Sequence, residues 1–277
     1  MWRVFEPYHA ITYFSPETTT AFKSAGLKGF WMGYFAGRAA PMGPVCSGVV
    51  TATFYNFAPR MVMRAIPDAW GFASTGAVLD ARMAGVDVAL RRILGDRLTE
   101  RSTSEAASIA EEAVSATNPA GRPLFAANAQ VAPPSDPHLR LWWAVTCLRE
   151  HRGDGHVASL VQAGIDGCEA HVSLVATGSL SRGVLQPNRG WTDEEWDSAT
   201  DRLRGRGWLE SDGSLSAEGR SGRRHLENDT DRLAEEPWRR IGDSRTERFM
   251  ELLSPLTDRI LSLGDIPTQN PVGLPPK

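Results

Sequence analysis

The chain has 277 residues, of which 42% are hydrophobic and 23% charged, with a formal net charge of −3. Those proportions exclude wholesale disorder, and the length supports one large or two modest domains. The slightly negative total excludes a global cationic field that would draw the chain onto nucleic acid or an anionic membrane.

Cys46, Cys147 and Cys168 are far apart and form no CxxC pair, which argues against a disulfide framework or a structural zinc site. Residues 1–15 lack the charged and apolar pattern of a secretory signal. The most apolar stretch, Lys28 to Arg38, is about half the length of a membrane span. The expectation is a soluble, cytoplasmic chain with no membrane contact.

Helical periodicity dominates. Ser15-Pro16-Glu17 reads as a helix start, because Ser caps, Pro suits the first helical position and Glu suits the positive end. In the next aromatic helix Gly29, Gly33 and Gly37 recur every four residues. They share one face, which admits either a closely packed neighbour or a flat ligand. Val45–Phe57 reads as a second apolar helix, followed by a short one before Pro67. Leu79, Met83, Val86, Leu90, Ile93 and Leu94 mark a clear amphipathic helix, and a polar helix covers about 104–116. Residues 131–137 hold three prolines and read as a linker.

Beyond the linker, His138–Arg149 is helical. His151-Arg152-Gly153-Asp154-Gly155-His156 reads as a turn, with Asp154 as the cap of a following helix. The last strong helices lie at about 217–234 and 245–263, and residues 265–277 read as a flexible tail.

Residues 179–219 run helix (Ser181–Leu185), turn, helix (Trp191–Arg206), two short strands around Asp212-Gly213, and helix. This order resembles a winged helix of the MarR type, which implies DNA binding or dimerisation. A DNA reader would present the start of the Thr192 helix to the major groove. That start carries Asp193, Glu194, Glu195, Asp197 and Asp201 and no basic residue. Phosphate neutralisation supplies most of the affinity for DNA, so these acids disfavour operator binding. They equally suit a solvent-facing helix N-terminus.

Four longer strings extend the comparison: residues 6–17 (Glu6 to Glu17), 29–38 (Gly29 to Arg38), 149–156 (Arg149 to His156) and 190–196 (Gly190 to Trp196). With them the chain resembles a poorly characterised actinobacterial helix-turn-helix family. That resemblance implies no particular activity.

The chemistry must therefore be read from residues. His9, Glu150, His151 and His156 are the candidate catalytic or acid–base groups, and His9, His151 and His156 the candidate metal or haem ligands. For each histidine, an ordinary hydrogen-bonded structural role is the competing reading. Tyr13, Trp31, Tyr34, Arg38, Tyr55 and Asn56 give an aromatic set with polar tips that suits a planar ligand or an ordinary core. A buried Arg38 would need an acidic partner or ligand. No GxGxxG, P-loop, GxSxG or HExxH motif is present.

The expected fold is mainly α. A helical, aromatic-rich ligand domain (1–130) precedes a MarR-like winged-helix domain with a small two-stranded wing (138–264). The leading expectation is binding of a small planar molecule or metal cofactor, with the winged helix as scaffold or homodimer interface. The alternatives are a ligand-responsive MarR-like transcription regulator and an enzyme built on His9, His151 and His156.

Overall fold

The computed structural model describes residues 1–274. In chain order the helices are α1 (Trp2–Phe14), α2 (Pro16–Ser24), α3 (Gly29–Ala39), α4 (Ser47–Phe54), α5 (Pro59–Met63), α6 (Ala69–Phe72), α7 (Thr75–Leu94) and α8 (Arg101–Ser115). They continue as α9 (Pro123–Ala129), α10 (Pro137–Gln162), α11 (Gly167–Val175), α12 (Arg182–Arg189), α13 (Asp193–Gly205), α14 (Ala217–Ala234), α15 (Glu236–Ile241) and α16 (Asp243–Ser262). Their starts follow simple chemistry. Ser15 caps α2 with Pro16 at its first position, and reciprocal capping boxes open α11 (Asp166, Glu169) and α13 (Thr192, Glu195).

The mainly α character holds, but the expected two-stranded wing is absent. Among the described residues there is no strand. Leu209 and Leu215 make one isolated antiparallel bridge between α13 and α14. Both leucines turn into the core, while Glu210, Ser211, Asp212 and Ser214 are exposed. One inward residue on each side is too little alternation to hold a ladder. The arms are tied down individually instead. Trp208 packs its carbonyl over Gly219 and its indole over Gly222, where an added Cβ would lie 2.1 and 2.3 Å from its atoms.

The segment read as a turn at 151–156 lies inside α10, which is continuous over 26 residues and about 39 Å long. Gly153 and Gly155 each cost a helix about 1 kcal/mol relative to Ala. Packing overrides that cost. Gly155 admits the Arg122 guanidinium, which donates to the carbonyls of His151 (2.7 Å) and Leu233 (2.9 Å). Asp154 does not cap a following helix. It accepts from the backbone N–H of Phe125 (3.0 Å) and so anchors the start of α9.

Three apolar clusters result. The first joins α1, α7, α8, α10 and α16 through Phe5, Ile11, Leu90, Ile109, Trp142, Phe249 and Leu253, so it draws on both sides of residues 131–137. The second fills α2–α6 with Phe22, Phe35, Phe54, Phe57 and Ile66. The third lies under α12 and α13, with Leu160, Leu185, Trp196, Leu203, Leu209 and Leu226. In the stretch expected to be a tail, Ile266, Asn270 and Leu274 are buried; residues 275–277 fall outside the described residues.

Candidate functional site

The glycine face of α3 is taken up by a side chain of α2. The Phe22 ring lies on Gly33 and Gly37, close enough that a Cβ on Gly37 would sit 2.4 Å from the ring. Gly85 on α7 likewise receives the backbone of Thr18. These close approaches bring α1, α2, α3, α7 and α10 around one cavity. Its walls include His9, Thr12, Tyr13, Phe22, Tyr34, Arg38, Arg82, Trp142, Thr146 and Glu150. The shell encloses about 280 Å³ of atom-free space, mostly narrow crevice, with room for about one water molecule. A second cavity shares Thr12, Tyr13, Phe22 and Tyr34 with it and runs on to Gly29 and the half-exposed Phe30.

The polar groups at the first cavity form two sets, an ion-pair chain and a hydrogen-bonded triad. Arg38 grips Glu150 with two hydrogen bonds of 2.8 Å, and both side chains are buried. Arg149 bridges Glu150 (3.1 Å) to the fully buried Glu6 (3.4 Å). Burial alone would raise the Glu150 pKa, but the Arg38 and Arg149 guanidiniums more than reverse this and hold its carboxyl well below its ordinary value. His9 places Nδ1 3.0 Å from the Thr146 hydroxyl and Nε2 3.0 Å from the Tyr13 hydroxyl. Burial, reinforced by Arg149, pushes its pKa well below the ordinary value, so the imidazole is neutral at pH 7. Tyr13 in turn packs on Tyr34, with ring centroids 4.9 Å apart.

The expected site residues thus divide. His9, Tyr13, Tyr34, Arg38 and Glu150 line one cavity. Helical spacing explains the division along α10: Thr146 and Glu150 lie one turn apart and face inward, while the next residue is turned by about 100°. His151 therefore stacks edge-on against Phe125, and its Nε2 is buried without a hydrogen-bond partner. His156 faces α14, with Nδ1 3.0 Å from Thr230 Oγ1. Burial lowers the pKa of both to about 4. Trp31 packs among Tyr34, Phe35 and Phe57. Among the described residues, the group whose potential metal-ligating atoms lie within 4.8 Å of one another is Asp87, Asp136 and His138. Arg91 already pairs with both of those carboxylates, at 2.9 and 3.3 Å.

Tyr55 and Asn56 join the N-terminal helices to the helix-turn-helix. The Tyr55 hydroxyl donates to the Ile165 carbonyl (2.7 Å), and the Asn56 carbonyl accepts from the Trp191 indole (3.1 Å). Tyr55 has φ +53°, a rare conformation for a bulky side chain, and Gly167 leaves room for its carbonyl. Nearby, Arg60 pairs with Glu195 (2.7 Å) and donates to the Gly190 carbonyl.

The helix-turn-helix itself comprises α12, a turn at Gly190–Thr192 and α13. Gly190 adopts a left-handed conformation (φ +75°) that closes α12. Asp193, Glu194, Asp197 and Asp201 are exposed on α13, and the nearby Arg182 pairs with Asp193 and Asp197. A wider, open groove of about 520 Å³ runs past Asp166, Trp191, Glu194 and Glu195. Its carboxylates include Asp166, paired with Arg202, and Glu195, paired with Arg60.

Sequence reasoning missed Arg82, Arg149, Glu6 and Thr146. Glu6 and Arg149 stand inside the long strings used for the family comparison, but only the fold shows that they meet. Arg82 falls on the buried face of α7, one residue before Met83, where an arginine breaks the apolar pattern and is a legible signal.

Residues 1–267 match a family described as a helix-turn-helix family. No curated protein and no solved structure matches the chain.

Proposed function

We propose a function from one premise: the chain belongs to the helix-turn-helix family. We infer that it binds a small molecule in the cavity behind Phe22, with the helix-turn-helix as scaffold. One observation carries this reading. A neutral histidine, a tyrosine pair and a bidentate ion pair, all buried, line the same narrow cavity. Buried ionic groups are seldom the cheapest way to stabilise a core, and perturbed groups gathered at a cavity are a mark of binding sites. The aromatic walls supply the flat apolar surface expected for a planar ligand.

The test is a thermal-denaturation screen of the purified chain with small planar compounds. A binder is expected to raise the midpoint in wild type and to lose that effect in Thr12→Met, which fills the space between the two cavities. Stabilisation by every binder that survives Thr12→Met and Phe22→Ala unchanged contradicts the reading.

Family membership favours a second reading, a ligand-responsive regulator that binds DNA. The exposed acids of α13 weigh against it, because they would meet phosphate. Selection from a random duplex library at about 200 mM salt decides. Enrichment of a sequence would establish the regulator; its absence leaves the scaffold role.

A further inference from the structure

The charges around the first cavity do not balance. Glu6 and Glu150 are satisfied by Arg38 and Arg149, which together form a closed chain of two anions and two cations. Arg82 stands outside that chain. It is 5% exposed and lines the same cavity. Among the described residues it has no carboxylate within ion-pair distance. Its guanidinium donates to the Gly37 carbonyl (3.0 Å) and, at long range, to Asn128 Oδ1 (3.4 and 3.5 Å), and it lies 5.2 Å from the Trp142 ring centroid. Its Nε is buried with no hydrogen-bond partner.

Removing a guanidinium from water costs several kcal/mol unless an anion or a full set of acceptors replaces the lost hydration. Arg82 has neither. Arg189 repeats the pattern nearby: it is buried over the Phe57 ring, its Nε has no partner, and it bonds to carbonyls alone. Burial pulls its pKa down to about 10. Both are the reverse of what a core built only for stability would contain.

We propose that the cavity takes an organic monocarboxylate, with the carboxylate on Arg82 and a flat apolar body between Phe22, Tyr34 and Phe30. This rests on the small-molecule reading above and adds the charge of the ligand. A planar carboxylate matches the planar guanidinium fork in two parallel hydrogen bonds. The apolar walls of the adjoining cavity favour an organic carboxylate over inorganic phosphate, which has no apolar body to place there. The ion pair of Arg38 and Glu150 stays intact, so Glu150 offers no free charge to repel the ligand. The Thr146 hydroxyl sits on the same wall and, while accepting from His9 Nδ1–H, can donate to a carboxylate oxygen. The adjoining second cavity supplies apolar walls for the body; each cavity as it stands holds about one water, so entry of the ligand requires the Phe22 ring to move off Gly37 and join the two.

The experiment is calorimetric titration of the full-length wild-type chain with benzoate, with benzamide as its neutral counterpart and with inorganic phosphate. Benzoate is expected to bind roughly 10–100-fold more tightly than benzamide, the ratio that a charge-assisted hydrogen bond supplies. In Arg82→Gln that ratio is expected to fall to about one. Should Arg82→Gln not fold, Arg82→Lys serves: the charge is kept and the fork lost, so the preference weakens but survives. Equal binding of benzoate and benzamide to wild type overturns the carboxylate inference and leaves the small-molecule reading standing. Tighter binding of phosphate than of benzoate also overturns it. No binding of any of the three overturns the inference, and the thermal screen with uncharged compounds then tells whether the wider reading falls too.

Discussion

The cavity region and the helix-turn-helix differ in how far their charges are paired in the interior. Around the cavity, Arg38, Glu150 and Glu6 are buried and joined to Arg149 in one network. In the helix-turn-helix, the core is Leu185, Trp196, Leu203 and Leu226, ion pairs such as Arg182 with Asp193 lie at the surface, and Arg189 at the end of α12 is the buried exception. A fold named for its helix-turn-helix would be expected to show its specialised chemistry there. Instead, the connected network of buried ion pairs gathers about α1, α3 and α10. The physical lesson is that surface charges are nearly free to place, whereas buried ones persist only where something repays their desolvation.

Mutations can break this contrast. Glu150→Ala strands Arg38 in the interior and is expected to cost about 3–5 kcal/mol in urea denaturation. Replacing Arg38 and Glu150 together by Met is expected to cost less than Glu150→Ala alone, since no orphaned Arg38 charge remains. A double mutant as damaging as the two singles combined would show that Arg38 and Glu150 are not energetically coupled. Leu203→Ala, in the apolar core below α13, is expected to lose about 2–5 kcal/mol through cavity formation. Arg60→Ala, whose ion pair with Glu195 is about 40% exposed on each side, is expected to cost only about 0–1 kcal/mol.

pH sharpens the same comparison. Burial lowers His156 to about 4 in the folded chain against an ordinary 6.5. The native state then binds the proton less well than the unfolded state. Its contribution is therefore intact above pH 6.5 and lost as pH falls towards about 4. Asp154 behaves oppositely. Burial raises its pKa to about 7 from 3.8, so its contribution is intact below pH 3.8 and lost as pH rises through about 7. Asp154→Asn, which keeps an acceptor for Phe125, is expected to gain stability relative to wild type as pH rises from 4 to 7. Parallel stability profiles for the two proteins would refute this.

Much of the fold was legible, and its failures have physical causes. Ser15 and Pro16 fixed the start of α2, and the 3–4 spacing from Leu79 to Leu94 marked α7. The wing failed because Asp212-Gly213 is a genuine turn signal whose flanks are too short to pair. The turn at 151–156 failed because two glycines mean a bend by local propensity, yet here Gly155 makes room for Arg122. In the site, Arg38 pointed to an acidic partner, and Glu150 is that partner. His9 and Glu150 meet because α1 lies on α10, a contact between residues over a hundred positions apart that no local pattern encodes.

Hydrogen exchange of the full-length chain, with and without benzoate, tests the central claim most directly because it reports where binding occurs. The account predicts slowed exchange in α1, α3, the Arg82 turn of α7 and the 146–153 segment of α10, with α13 unchanged. Protection confined to α12 and α13, with the cavity helices unaffected, would contradict it.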